Sequence, residues 1–310
     1  MPFPPRDAAA NSTLGFEKLV AVSVGPSWRT RGLHAAAKLT GLDITIPPQP
    51  QVSDEFVRAF QNLGAAEGQR TPQPGSARAW LAHLDLLKYV VTSQVETALI
   101  VEDDVDWDVR LRDQMRLISD NVRNYTHTHE EDTTPFGLDW DVLWLGHCGS
   151  VTEDSMPHPL VYADDTRCEA ELYSGWSKYF LQGKVPAGHR QVQASFVTVC
   201  TFAYGVTKAS AQKLLALLSK GGDEAFDVSL SAYCRDGSLH CLVINPQVFN
   251  HYEPPAQHGY TSEVHAGDGL GRSAEEADFE KVKGATGNIV ESARCSALFN
   301  ETCMRPPSDM

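Results

Sequence analysis

The residues most able to do chemistry lie in "ALIVEDDVDWDVRL", positions 98–111, where four apolar residues run into Glu102, Asp103, Asp104, Asp106 and Asp108. Five carboxylates this close repel one another, so the segment needs a cation or a set of N–H donors beside it. If "TALIV" is a buried strand, alternation sends Glu102 and Asp104 to one side and Asp103 to the other. Two carboxylates converging at a strand end suit a hard divalent cation with oxygen ligands, Mg²⁺ or Mn²⁺. The alternative is a solvated acidic turn. Asp108 precedes a run in which Leu111, Met115, Ile118, Val122 and Tyr125 share a helical face, and it fits a helix cap. Asp106 suits either purpose.

Competing motifs can be checked position by position. Asp104, Asp106 and Asp108 imitate the start of a calcium-binding loop, but its sixth position is Val109 rather than Gly and its twelfth is Met115 rather than Glu. No Gly-rich stretch ends in Gly-Lys-Ser/Thr, so a P-loop is absent from the sequence. A phosphohydrolase Asp-x-Asp-x-Thr/Val pattern also fails, because Asp104-x-Asp106 runs on into Trp107-Asp108, and Asp106-x-Asp108 into Val109-Arg110.

Other candidates are scattered. Asp227 in "EAFDVSL" reads as a proton acceptor or as another helix cap. His251 in "VFNHYEP" follows a late strand, with His258 as its rival, and imidazole accepts Mn²⁺. Arg29 and Arg31 follow the first strand, and their forked donors suit phosphate oxygens as well as they suit solvent. Tyr204 lies inside a strand pattern that favours core packing, Trp176 lies in an irregular stretch that would leave a ring accessible, and His83 sits beside the buried-face residue Leu84 as a structural histidine.

The elements that must position these residues alternate. "LVAVSV" (19–24) is a short buried strand, and "RGLHAAAKLTG" a helix closing at Gly41. "PPQPQVSDEF" is a connector, and "GSARAWLAHLDLLKYVVTS" a helix with Trp80, Leu84, Leu87 and Val91 on one face. "TALIV", "WDVLWLG" (140–146), "SFVTVCTFAYGVT" (195–207) and "LHCLVINPQVF" (239–249) are strands, and "ASAQKLLALLSKGG" a helix stopped by glycines. Residues 150–192 read as irregular. The expected class is α/β, a mostly parallel Rossmann-like sheet flanked by helices, with ligands beyond the C-terminal strand ends. The expected division is a tail over 1–16, one domain over 17–265 with 150–192 as a lid, and a C-terminal helix and tail over 266–310.

With 310 residues and a formal charge of −14, the chain has no overall basic footprint for nucleic acid. No apolar run approaches the roughly 18 residues of a membrane span. The N-terminus shows no apolar signal core or anchor. Three sequons, at Asn11, Asn124 and Asn300, favour a secretory lumen over the cytoplasm. Cys234 with Cys241, and Cys295 with Cys303, fit either disulfides or buried thiols.

Taken in order, several blocks resemble glycosyltransferase family 25, whose members include lipooligosaccharide and collagen galactosyltransferases. "FEKLVAVSVGPSWRTRGLHAAAKLTGLDI" resembles its opening strand, turn and helix. "GSARAWLAHLDLLKYVV", "ALIVEDDV", "CTFAYGVTKASAQKLL", "FDVSL", "NPQVFNH" and "GYTSEV" resemble later blocks, and "WDVLWLGHCG" looks closest to fungal members. The resemblance implies a GT-A-type fold and an inverting transferase moving a hexose, galactose foremost, from a UDP-sugar to a glycan or protein hydroxyl with Mn²⁺ or Mg²⁺. It implies Asp104, Glu102 and His251 at the metal, Asp103, Arg29, Arg31 and Tyr204 at the donor, Asp227 as the base and Trp176 on the acceptor side. Ala79 and Ala82 stand where the family carries Cys and Ser, which motivates the alternative of a nucleotide-sugar or glycan-binding module without turnover.

Overall fold

The computed structural model describes residues 4–65, 68–255, 258, 260, 279 and 281–305. In chain order the elements are α1 (Pro5–Ala8), β1 (Lys18–Val22), α2 (Trp28–Thr40), β2 (Ile44–Thr45), α3 (Asp54–Ala65), α4 (Pro74–Thr92), β3 (Thr97–Glu102), β4 (Val105–Trp107), α5 (Leu111–Tyr125), β5 (Val142–Gly146), β6 (Gly149–Ser150) and β7 (Leu160–Ala163). Then follow α6 (Lys178–Lys184), β8 (His189–Ala194), β9 (Thr198–Val199), β10 (Ala203–Thr207), α7 (Lys208–Leu218), α8 (Phe226–Arg235), β11 (Cys241–Asn245), β12 (Phe249–Glu253), β13 (Ala285–Thr286) and α9 (Ala293–Phe299).

The central sheet runs β2-β1-β3-β10-β5-β11-β8-β7. Along this path only β10 and β8 oppose the common direction. The fold is therefore mixed α/β with a large, mostly parallel sheet flanked by helices. Strand alternation explains the two cores. Leu19, Leu99, Val101, Leu143, Leu145, Leu242 and Ile244 face α2 and α5, while Val20, Ala98, Ile100, Val142, Trp144 and Val243 face α4, α7 and α8. Both faces are covered, as the near-continuous apolar runs of β3, β5 and β11 require. α2 starts at a capping box between Ser27 and Thr30 and ends at Gly41 with φ +68°, a left-handed position that glycine adopts without strain.

Four expectations need correcting. "VSDEF" opens α3, so that stretch is more than a connector. Residues 4–16 are no loose tail, since Ala9, Leu14 and Phe16 sit in the core. Residues 150–192 are irregular only in part, because α6 lies within them and β7 and β8 form a long-looped hairpin that extends the sheet beyond β11. The strand pattern there is hidden by polar inward residues: Gln191 and Gln193 are buried but bond Thr152 and each other. Within the expected C-terminal helix and tail, the helix is α9, and 285–305 pack back on the domain through it and β13 rather than trailing away.

Cys234–Cys241 and Cys295–Cys303 are disulfides, and so is Cys148–Cys200, whose separation of 52 residues hid it from the sequence. Cys168 is a buried free thiol.

The hairpin is held by a buried ion pair, Arg190 Nε to Asp164 Oδ2 at 2.5 Å, with Arg190 also donating to the Pro246 and Gln247 carbonyls at 2.7 Å. Removing one partner leaves the other charge buried and unpaired. Asp164→Ala should therefore cost about 3–5 kcal/mol in urea unfolding; a loss near zero would show that the hairpin adds nothing to global stability.

Candidate functional site

The acids of positions 102–108 separate into different environments. β3 stops at Glu102, and Asp103–Asp104 form a turn before β4. Strand alternation therefore does not reach Asp104, and Glu102 does not share its surroundings. The Glu102 carboxylate lies 3.4 Å from the Thr201 hydroxyl and 3.7 Å from His83 Nε2. The expected triad of Asp104, Glu102 and His251 is thus corrected to a pair, and among the described residues no group of three or more His, Cys, Asp or Glu is placed to hold a metal.

Asp104 and His251 do come together. β12 runs antiparallel to β4 with His251 opposite Val105. That register brings His251 Nε2–H to Asp104 Oδ2 at 2.9 Å, with Arg29 Nε 3.5 Å from the same oxygen. On the far side of the ring, Nδ1–H donates to Glu253 Oε1 at 3.1 Å, and Glu253 is itself paired with Arg305. A carboxylate behind an imidazole fixes its orientation and raises its basicity. The Tyr260 hydroxyl lies 3.2 Å from Nε2, and the Phe202 ring stacks on the imidazole at 5.6 Å.

The electrostatics follow from this packing. Burial opposes ionisation of Asp104, but the charges of His251, Arg29 and Arg294 outweigh it and hold the carboxyl at about 2. Burial likewise opposes charging His251, and Asp104 with Glu253 outweighs it, lifting the ring to about 10. Asp104 Oδ1 is buried without a hydrogen-bond partner. An unsatisfied carboxylate oxygen beside an oriented imidazole fits a divalent cation whose remaining ligands come from a substrate and water.

Asp106 and Asp108 do different work. Asp106 is buried and accepts from the backbone N–H of Trp107 (2.9 Å) and of Arg294 (3.0 Å), and from the Ser292 hydroxyl. Asp108 accepts from the N–H of Arg110 (2.9 Å) and of Glu291 (3.1 Å). The capping expectation is corrected, since α5 has Arg110 at its N-cap and Asp108 lies further upstream. Burial raises both carboxyls above the ordinary range.

A second cluster lies next to the first. Asp227 stands in the first turn of α8, where its Oδ2 accepts from the Cys200 backbone N–H at 2.6 Å, so it braces the disulfide-bonded loop rather than capping the helix with that oxygen. His83 is buried, stacked on Phe226 at 4.7 Å, with Nδ1 3.0 Å from the Tyr204 hydroxyl. Tyr204 is 0% exposed, so the donor-stacking expectation is corrected: its ring is core. Residues 200–202 join the clusters, since Cys200 meets Asp227, Thr201 meets Glu102 and Phe202 meets His251.

Arg29 is buried beside Asp104, whereas Arg31 is exposed one helical step on. The Asp103 carbonyl accepts from Arg294 at 3.1 Å. Trp176 is 40% exposed and packs against Gly149, next to Cys148 of the Cys148–Cys200 bridge. The His258 backbone N–H donates to the Pro255 carbonyl at 2.9 Å. Glu253, Tyr260 and Arg294 escaped sequence reasoning. Glu253 alone carried a signal, two positions after His251 and so on the same side of a strand.

No protein-family model matches the chain, and no curated protein matches it. The crystal structure of A197 from STIV aligns over 79% of this chain and 85% of its own length, with 8% identity and a TM-score of 0.34, a likeness that carries no argument.

The coupled pair has a defined pH dependence. His251 is raised from 6.5 to about 10, so its contribution to stability is complete below 6.5 and disappears as pH rises through about 10. Asp104 is lowered from 3.8 to about 2, so its contribution is present above 3.8 and disappears as pH falls through about 2. NMR of the metal-free protein should show both His251 ring nitrogens protonated at about pH 8; a neutral ring there would contradict the pairing.

Proposed function

We propose that the chain is a metal-dependent inverting glycosyltransferase of the GT-A type, moving a hexose, galactose foremost, from a UDP-sugar to a hydroxyl of a glycan or protein. The observation that carries this reading is the Asp104–His251 pair at the C-terminal end of β3, with Glu253 orienting the imidazole and Asp104 Oδ1 unsatisfied. The ordered motifs that resemble family 25 support it.

Asp104 and, on release of its Nε2 proton, His251 would hold Mn²⁺ or Mg²⁺, with Asp103 and water close by. When bound, the ion supplies Lewis-acid stabilisation of the diphosphate leaving group. Arg29, in the first turn of α2, adds positive charge at a helix N-terminus, where phosphate is favoured. Glu102, fixed by Thr201, closes the floor between the two clusters. Asp227 keeps the role of base: Oδ2 is held by the Cys200 N–H, which fixes the carboxylate and leaves Oδ1 to take the acceptor proton. Trp176 offers the acceptor a ring face. A cleft of about 490 Å³ between Arg70, Val199, Val228 and Arg235 adjoins the helix that carries Asp227. The disulfides, with Asn11, Asn124 and Asn300 all exposed, support an oxidising, secretory setting.

A donor-binding module without turnover is the second reading. The observation favouring it is the engagement of Asp227 by a backbone N–H.

Incubation with UDP-galactose and Mn²⁺ should release UDP, and chelator should stop it. Asp104→Ala should abolish the release. Asp227→Asn should lower kcat by roughly 10²–10⁴-fold while donor binding persists. Donor binding without release selects the second reading, and absence of donor binding under every condition rejects both.

A further inference from the structure

We propose that Arg294 is a positioning residue for the Asp103–Asp104 turn, delivered by a C-terminal arm, residues 285–305, that completes the metal and donor site. The proposal rests on the functional reading above and deepens it.

The arm is fastened at several points to the acidic segment itself. β13 pairs with β12, placing Thr286 opposite Tyr252, and Ser292 bridges Asp108. Asp106 accepts from the Ser292 hydroxyl and the Arg294 N–H, and Asp108 accepts from the Glu291 N–H. The Cys295–Cys303 disulfide closes the arm on itself, and α9 packs on α2. Two of the five acids thus serve to hold this arm in place.

What the arm delivers is a buried cation. Arg294 is 0% exposed. Its Nη2 donates to the carbonyls of Arg29 at 2.6 Å and Asp103 at 3.1 Å, joining the start of α2 to the acidic turn. The guanidinium lies 4.9 Å from the Tyr252 ring centre and 5.7 Å from that of Trp28. Its Nε and Nη1 have no hydrogen-bond partner. Ring faces and carbonyls offset only part of the cost of burying a charge. The guanidinium is fastened to the backbone of the turn that carries Asp104. α2 accommodates it by carrying Gly32 at the contact, where a Cβ would come within 2.6 Å of the guanidinium carbon.

Arg294→Met preserves bulk and removes both charge and fork. Gly32→Ala keeps Arg294 and displaces its guanidinium. Two readouts are compared with wild type: Mn²⁺ binding followed by electron paramagnetic resonance in the presence of UDP, and backbone hydrogen exchange. Arg294→Met should weaken Mn²⁺ binding about 10–100-fold, the usual effect of losing a residue that orients ligands. It should also speed exchange over 103–107 while leaving 98–101 protected. Gly32→Ala should shift both in the same direction by less, and it decides the matter if Arg294→Met does not fold. Faster exchange with unchanged Mn²⁺ affinity would reduce Arg294 to a structural strut and overturn the proposal, as would wild-type behaviour of both variants. If the wild-type chain binds no Mn²⁺, the functional reading fails, and exchange over 103–107 alone decides whether Arg294 orders the turn.

Discussion

Five carboxylates at the end of a buried strand must each find a positive partner or an N–H donor, and much of the molecule beyond the sheet is arranged by how they do so. Asp104 draws in His251 and Arg29, which fixes β12 against β4 and the start of α2 against both. Asp106 and Asp108 take backbone donors from a segment nearly two hundred residues away. Glu102 turns to Thr201 and His83 and so ties the loop before β10 to the helix α4. The repulsion that would make the cluster unstable alone becomes the reason that distant parts of the chain converge on one edge of the sheet.

That edge is where an open α/β sheet leaves room for a ligand. The apolar faces of β3, β5 and β11 are consumed by the two cores, so the polar residues just past their ends are the first with freedom to face outward. Rigidity comes from below: Trp144 donates to the Cys200 carbonyl, and Asp227 accepts from the Cys200 N–H. His251 within β12, Asp227 in the first turn of α8 and Asp104 in the short turn between β3 and β4 are thereby held by short connections, which suits work that depends on placement.

Much of the frame was legible because it follows from local periodicity. The buried runs at 18–22, 97–102, 142–146 and 241–245, and the helices over 28–40, 74–92, 111–125 and 208–218, all carry their pattern in adjacent residues. The association of Asp104 with His251 was readable from their residue types, although the alternation assigned to Asp104 was not, because nothing in "VEDDV" marks that β3 stops at Glu102. The β7–β8 hairpin was illegible for a different reason. Its inward glutamines bond each other, Thr152 and the Val151 carbonyl, and hydropathy counts them as solvent-facing. Arg294 is the extreme case, since a buried arginine is recognisable only when the rings and carbonyls around it have been assembled.

The Cys148–Cys200 bridge has a consequence for how this architecture can vary. It brings the two ends of the intervening stretch to a Cα separation of 5.4 Å, right beside β5 and β10. Whatever happens to the irregular segments between them, these two ends cannot pull apart. Only the irregular segments of the stretch, such as the one that carries the exposed Trp176, are free of the sheet, since β7 and β8 extend it and Val192 is in the core. Insertions in those segments leave the bridge, and the acidic end of β3, where they are.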